Sequence, residues 1–288
     1  MNARKTMGIL LVVLLAGATQ AWGQLFYMAP GRGGTNGTIY AVSSGGAVSP
    51  FITGVAGGGY EATGLVTDSS GNFYFTGWTS PNVYKVTPGG AVSTFATGFS
   101  ETTGEAVDKS DNLYVADISN GQISKITPGG TVSVFATGLT NPEGMAFNAA
   151  GNLFVTSGST GVVSEITPGG QISTFATAPA HQLSGAAFDQ SGNLYVPGSG
   201  EFDPWDIYKI TPAGVVTTFA SGGGLCEPEQ LLFDQSGNLY ADSWPGRISM
   251  ITPSGQVSTF EDGASGPMVL AGTTPEPVTL SLLALGGL

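Results

Sequence analysis

Gly151-Asn152-Leu153-Phe154-Val155, a variable loop, Val163-Ser164-Glu165-Ile166-Thr167-Pro168-Gly169-Gly170 and then Gln171-Ile172-Ser173-Thr174-Phe175 make up a stretch that this chain repeats about every forty residues. The Gly-Asn pair returns at Gly71-Asn72, Gly192-Asn193 and Gly237-Asn238, with Asp111-Asn112 in the remaining slot. The Thr-Pro pair returns at Thr87, Thr127, Thr211 and Thr252. Apolar and polar residues alternate through the unit, which predicts short strands over 144–147, 153–156, 163–166 and 171–175. A period near forty carrying several strands per unit is the sequence mark of a β-propeller.

The turns between these strands have mechanical readings. Asp68, Asp108, Asp189 and Asp234 open Asp-x-x-Gly/Asp-Asn turns. There the Asp side chain bonds its own backbone and Gly or Asn accepts a positive φ. They lack the twelve-residue spacing and terminal Glu of a calcium loop. In Thr-Pro-Gly-Gly the Pro sets φ and a Gly supplies the positive one. Phe51, Phe95, Phe135, Phe175, Phe219 and Phe260 recur at one position of the unit, as expected of a core aromatic between neighbouring blades.

The ends determine the number of units. Residues 25–28, 38–42 and 48–52 match the second, third and fourth strands of a unit and lack a first, while 266–270 match the missing strand. Joining the two removes the exposed edges of an open array. The expected fold is all-β: a six-bladed β-propeller of four-stranded antiparallel blades, the N- and C-terminal strands sharing one blade. The domain reading is 1–23 as a signal peptide, 24–272 as the propeller, and 273–288 as a tail. Arg4 and Lys5 ahead of the apolar run 7–18, with Ala21 and Gly23 after it, carry the first of these. That run is shorter than the roughly 20 residues of a membrane span.

The chain carries a formal net charge of −12. Without Arg4 and Lys5, six basic residues face 20 acidic ones, about −14. Nucleic acid is excluded as a partner, because phosphate binding needs clustered Lys and Arg. Cys226 is the only cysteine, so no intrachain disulfide forms and the reading is a monomer held by packing and ring closure.

The uniform turns fall on one face of a propeller, leaving the variable loops to form the other, functional face. Glu61, Glu101, Glu143, Glu227 and Glu229 lie in loops entering first strands, and Asp117 and Asp242 follow second strands. The insertion at 198–206 adds Glu201, Asp203, Asp206 and Trp205. Trp78, Trp205 and Trp244 all follow second strands, and aromatics beside carboxylates suit sugars or peptides. Glu61, Glu101, Asp203 and Asp206 join them as expected ligand-binding residues. Carboxylates converging on a channel mouth suit a hard cation, Ca²⁺ or Mg²⁺; the other reading is a solvated acidic rim. His181, the one histidine, is the candidate general base. Cys226 has no histidine assigned beside it as a partner.

Ile-Thr-Pro-x-Gly-x-Val/Ile followed by Pro-x-Gly-Met-Ala-Phe and Gly-Asn-Leu-Phe/Tyr-Val resembles NHL-type repeats, in the style of streptogramin (virginiamycin B) lyases and the gluconolactonase-like proteins. The gluconolactonase resemblance implies one divalent metal held near first-strand entrances. The matching slots carry Glu143 in Asn141-Pro142-Glu143-Gly144 and Glu229 in Glu227-Pro228-Glu229-Gln230, with Asn141 and Asp242 as assisting ligands; other blades offer Thr63, Thr103, Ser184 and Ser265. The lyase resemblance implies histidine chemistry with Mg²⁺, for which this chain has only His181. Pro275-Glu276-Pro277 before a terminal apolar run resembles a PEP-CTERM sorting signal, processed by exosortases in Gram-negative bacteria. Its arginine cluster is missing, so the tail reads as incomplete.

Together these readings give an exported propeller, extracellular or at the cell surface of a Gram-negative-type bacterium. It acts as a binding or structural module, its acidic face turned to extracellular polysaccharide or an envelope protein. The alternative is a metal-dependent lactonase or lyase.

Overall fold

A computed structural model describes residues 38–53, 62–77, 80–199, 205–243, 246–262 and 268–269, and the backbone alone of 24–28 and 270. The expected signal peptide and sorting tail lie outside the described residues. Three strands come first: β1 (Gln24–Met28), β2 (Ile39–Ser43) and β3 (Val48–Ile52). Next follow β4 (Ala62–Thr67), β5 (Phe73–Gly77), β6 (Asn82–Val86) and β7 (Val92–Thr97). Then come β8 (Thr102–Val107), β9 (Leu113–Asp117), β10 (Gln122–Ile126) and β11 (Val132–Thr137). The quoted stretch supplies β12 (Pro142–Phe147), β13 (Leu153–Ser157), β14 (Val162–Ile166) and β15 (Ile172–Thr177). After it run β16 (Gln182–Leu183), β17 (Ala187–Phe188), β18 (Leu194–Ser199), β19 (Asp206–Ile210) and β20 (Val216–Ser221). The last strands are β21 (Pro228–Phe233), β22 (Leu239–Ser243), β23 (Arg247–Ile251), β24 (Val257–Asp262) and β25 (Met268–Leu270).

Five sheets are built from consecutive strands: β4–β7, β8–β11, β12–β15, β16–β20 and β21–β24. All pair antiparallel, so the molecule is an all-β propeller of four-stranded sheets. A further sheet, β25-β1-β2-β3, joins the two ends of the chain, with Tyr27 opposite Val269. One expectation needs correction. The first strand of the fifth unit is broken into β16 and β17, both paired with β18, so that sheet has five strands rather than four. Residues 184–186, which include Gly185, leave the ladder between them.

The core lies between sheets, not within them. Ile39, Ala41 and Ile52 pack on Leu65, Phe73 and Val86. Tyr74, Val83 and Ala96 pack on Leu113, Val115 and Ile126, and the same arrangement continues through each following pair of sheets. The last cluster sets Tyr240 and Ile248 against Val42 and Met268 of the terminal sheet. Innermost strands follow the same order, β25 touching both β21 and β4. The recurrent phenylalanines meet second-strand aromatics edge-on, Phe95 on Tyr74 and Phe219 on Tyr195 with centroids 4.9 Å apart. Such pairs add about 0.5–1.5 kcal/mol beyond burial.

Burial grades outward because each sheet is sandwiched near the axis and bare at the rim. The second strands β9, β13 and β22 are buried along their whole length, whereas β11 on the outside exposes Val132, Ser133 and Val134. Each described third–fourth strand pair carries a register shift at one repeat position, Ile123/Ser124 in one sheet and Val163/Ser164 in the next. A bulge there adds twist and makes the outer edge a poor template for a foreign strand.

The turns behave as the sequence reading expects. Asp68 Oδ1 accepts from the backbone N–H of Ser70 (3.0 Å) and Asn72 (2.9 Å), while its Oδ2 accepts from Asn72 Nδ2 (2.7 Å) and Tyr74 Oη (2.9 Å). Asp189 and Asp234 repeat this pattern. Burial raises the carboxyls of Asp108 and Asp189, but these hydrogen bonds outweigh it and hold both below their ordinary value. Burial first, then the neighbouring carboxylate, pushes the Tyr240 phenol up to about 12.

Candidate functional site

The innermost strands surround a central cavity of about 300 Å³. Its wall draws on a slot of hydroxyl or carboxylate, glycine and apolar residue in each innermost strand: Thr63 and Leu65 on either side of Gly64, Thr103-Gly104-Glu105, Glu143-Gly144-Met145, Ser184-Gly185-Ala186 and Glu229-Gln230-Leu231, with Met268 and Val269 from β25. The register of β8 on β9 jumps between Thr102 and Glu105, and that of β12 on β13 between Pro142 and Met145. The glycine slot therefore lies in a bulge, where backbone turns toward the next sheet.

The close approach of backbones explains the glycines. A Cβ on Gly104 would lie 2.1 Å from the Glu143 carbonyl oxygen, and one on Gly144 would lie 2.3 Å from that of Ser184. The Gly144 N–H donates to the Ser184 carbonyl at 3.2 Å. Hydroxyls complete the belt: Thr103 Oγ1 donates to the Pro142 carbonyl at 2.7 Å, and Ser184 Oγ donates to that of Pro228.

Two positions depart from this pattern. Gln230 fills the glycine slot of β21, and its amide accepts from the Met268 N–H (3.2 Å) and donates to the Thr63 carbonyl (3.4 Å). Glu105 stands where the other innermost strands carry Leu65, Met145, Ala186 and Leu231. Its carboxyl crosses to the neighbouring sheet. There Oε2 occupies the space that a side chain on Gly64 would take, 1.1 Å from the position of such a Cβ. Thr76 Oγ1 donates to Oε1, and Thr76 also shares a 2.8 Å hydrogen bond with Thr63. Oε2 has no partner, and only 6% of the residue is exposed. Burial pushes this carboxyl from 4.5 up to about 8, against the lowering effect of the Thr76 bonds. It is thus a neutral acid at pH 7. The sequence reading missed Glu105; its one available signal was a charged residue in an otherwise apolar repeat slot.

Of the expected metal ligands, Glu143 and Glu229 do share the cavity wall. Asn141 is exposed at φ 44°, and its carbonyl accepts from the Gly158 N–H at 2.8 Å. Asp242 is buried on β22, outside the cavity wall, with 1% exposure. Among the described residues no three His, Cys, Asp or Glu side chains gather closely enough to hold a metal ion. The Ca²⁺ or Mg²⁺ implied by the gluconolactonase resemblance therefore finds Glu143, Glu229 and the buried Glu105 around one cavity, but not gathered closely enough to hold it.

The rim is tied together by its own carboxylates. Glu101 accepts from Ser119 Oγ at 2.7 Å, and Asp117 accepts from the Ser100 N–H at 3.1 Å and from Asn120. His181 is exposed, with its backbone N–H on the Ser199 carbonyl at 2.9 Å. Trp205 is half-buried and packs on the cluster that includes Tyr195, Ile207 and Leu225. Asp206 begins β19, half-buried. Glu61, Trp78, Asp203 and Trp244 lie outside the described residues.

No family model and no curated protein matches this sequence. Solved structures do match. A structure in a nidogen–laminin complex is 19% identical over 88% of this chain and 99% of that one, with a TM-score of 0.72. A catalytically inactive virginiamycin B lyase from Staphylococcus aureus with quinupristin is 16% identical over 83% and 85%, at 0.64. A gluconolactonase from Xanthomonas campestris is 16% identical over 72% and 77%, at 0.61. At such identities the likeness shows the fold alone, a propeller found in lyases, gluconolactonases and a nidogen–laminin complex alike.

Proposed function

We propose that the chain is an exported binding module whose acidic mouth and central cavity receive a neutral polysaccharide of the cell envelope or extracellular matrix. The observation that carries this reading is the cavity itself. Its wall sets Glu143 and Glu229 beside the hydroxyls of Thr63, Thr103 and Ser184 and the apolar faces of Leu65 and Met145. Ligand pockets begin at about 300 Å³ and combine apolar walls with a few placed polar groups. A chain with a formal net charge of −12 repels an anionic glycan, which favours a neutral one.

In this reading the terminal sheet acts as the sixth blade of a ring of NHL-type repeats, supported by the Tyr27–Val269 pairing and by the reach of Gln230 across β25. Export rests on 1–23, and surface retention through an exosortase rests on the PEP-CTERM resemblance of 273–288. Glu143 and Glu229 in one cavity favour the second reading, a metal-dependent lactonase or lyase.

Affinity electrophoresis of the full chain through gels containing dextran or an anionic glycan tests the proposal. Retardation by dextran alone is expected, and Glu229→Ala is expected to weaken it about tenfold. Unretarded migration in both gels would move the search to envelope proteins. Calorimetric titration with Ca²⁺ and Mg²⁺ separates the enzyme reading: stoichiometric binding lost on Glu143→Ala or Glu229→Ala, together with lactone hydrolysis, would replace the module.

A further inference from the structure

We propose that the seam between the sheets β8–β11 and β12–β15 holds a second binding site, which takes one neutral phenolic ring over Ser164. The site is separate from the central cavity and shares no lining residue with it.

Each third strand carries one residue directly after its bulge: Tyr84 on β6, Ser124 on β10, Ser164 on β14, Tyr208 on β19 and Ser249 on β23. The position faces the preceding sheet, since Tyr208 packs with Phe154, Val163 and Ala176 of β12–β15. Where it is tyrosine, the chain fills its own seam. Tyr208 is 5% exposed, and its Oη donates to the Pro179 carbonyl at 3.3 Å in the connection ahead of β16. Tyr84 is 7% exposed and stacks on Phe75, with centroids 5.2 Å apart. The second strand carries glycine at the neighbouring position in both sheets, Gly77 and Gly198. A Cβ on Gly198 would stand 3.0 Å from the Tyr208 ring.

Where the position is serine, two of the three seams are closed by other means. Ser124 and Ser249 are buried, with Phe99 packed into the first seam and Leu225 into the second. Ser164 is left partly exposed, in a groove of about 340 Å³. There the connection 138–140 brings only Leu139 to the seam.

The lining selects the ligand. Val155, Val162 and Ile172 offer apolar surface, and Ser157, Thr160 and Ser164 offer hydroxyls. Ser157 Oγ accepts from Thr160 Oγ1 at 2.7 Å, which leaves the Ser157 proton to donate to a phenolic oxygen. None of the lining residues is ionisable, so a charged ligand would lose water without gaining a counter-charge. A phenol has both parts that the groove can hold, an apolar ring and one hydroxyl that donates and accepts. The chain's own tyrosines place such a ring at the same position of two other seams.

Saturation-transfer NMR of the full chain with p-cresol and N-acetyl-tyrosinamide tests the site, with 4-methylbenzoate as the charged comparison. Both phenols are expected to bind saturably, and 4-methylbenzoate at least tenfold more weakly. Intermolecular NOEs are expected from the ring to the methyl groups of Val155, Val162 and Ile172. Tighter binding of p-cresol assigns the site to free phenols, and tighter binding of N-acetyl-tyrosinamide to a tyrosine side chain; either preference supports the phenolic ring. Ser157→Gly combined with Ser164→Tyr builds into β13 and β14 the pairing seen at Gly198 and Tyr208. This double variant is expected to abolish p-cresol binding and to raise the melting temperature by about 2–4 °C. If it does not fold, Thr174→Trp at the exposed mouth of the groove is expected to weaken binding at least tenfold. Five results overturn the inference: no saturable binding of either phenol; 4-methylbenzoate binding as tightly; NOEs to Leu65, Met145 and Leu231 instead, which would put the ring in the central cavity; binding unchanged in the variant that folds; or a double variant that folds and melts lower.

Discussion

At the scale of the residue, Glu105 ties chemistry to stability. Its carboxyl titrates near 4.5 in an unfolded chain and is raised to about 8 by burial in the folded one. Between these values the folded protein holds a proton that the unfolded chain has lost. Stability is therefore fully present below about 4.5, falls as pH rises toward 8, and is level above it. The loss is on the order of a few kcal/mol. Chemical denaturation of wild type and Glu105→Gln at pH 5, 7 and 9 is expected to show a falling midpoint for the first and a flatter line for the second. Parallel slopes would mean that the carboxyl is solvated. The aspartates act in the opposite sense, since Asp108 and Asp189 are held below their ordinary value and their contribution is lost only in acid.

At the scale of the element, the innermost strand decides how sheets meet. Its glycines were visible in the repeat, but their reason was not: only the three-dimensional arrangement shows the carbonyls of Glu143 and Ser184 occupying the space of a Cβ. Gln230 is the one described slot where a side chain takes over this bridging, joining β21 to both β25 and β4. Gln230→Ala removes two hydrogen bonds at the seam and is expected to cost about 1–3 kcal/mol in urea unfolding. The same substitution at exposed Gln171 is expected to change nothing measurable. Strand positions within the quoted unit were legible to within two residues, because period-two alternation is local. The split of β16 from β17 was not, since it depends on how residues 184–186 meet β21.

At the scale of the whole molecule, stability rests on closing a ring without disulfides. Met268 buries itself among Val42, Tyr240 and Ile248, and β25 is the strand that lets the terminal sheet reach the cavity. A chain ending at residue 267 loses that strand and leaves β1 with an unpaired edge. It is expected to melt at least 10 °C lower and to be cleaved first within 24–53 under limited proteolysis. Unchanged melting would mean that the ring does not depend on its terminal seam.

The sequence by itself determined the repeat, the strands, the turn chemistry and the recurrent core phenylalanines, because each is set by neighbours within a few residues of one another. It also marked Glu143 and Glu229 as entering the innermost strands, and the cavity does hold both. Tertiary structure alone decided that Asn141 turns its backbone into a loop, that Asp242 is buried away from the cavity, and that Glu105 buries an unpartnered oxygen against Gly64 of the neighbouring sheet. Each of these depends on what a neighbouring sheet places opposite a side chain, and residues forty positions apart in sequence become partners only when the sheets pack.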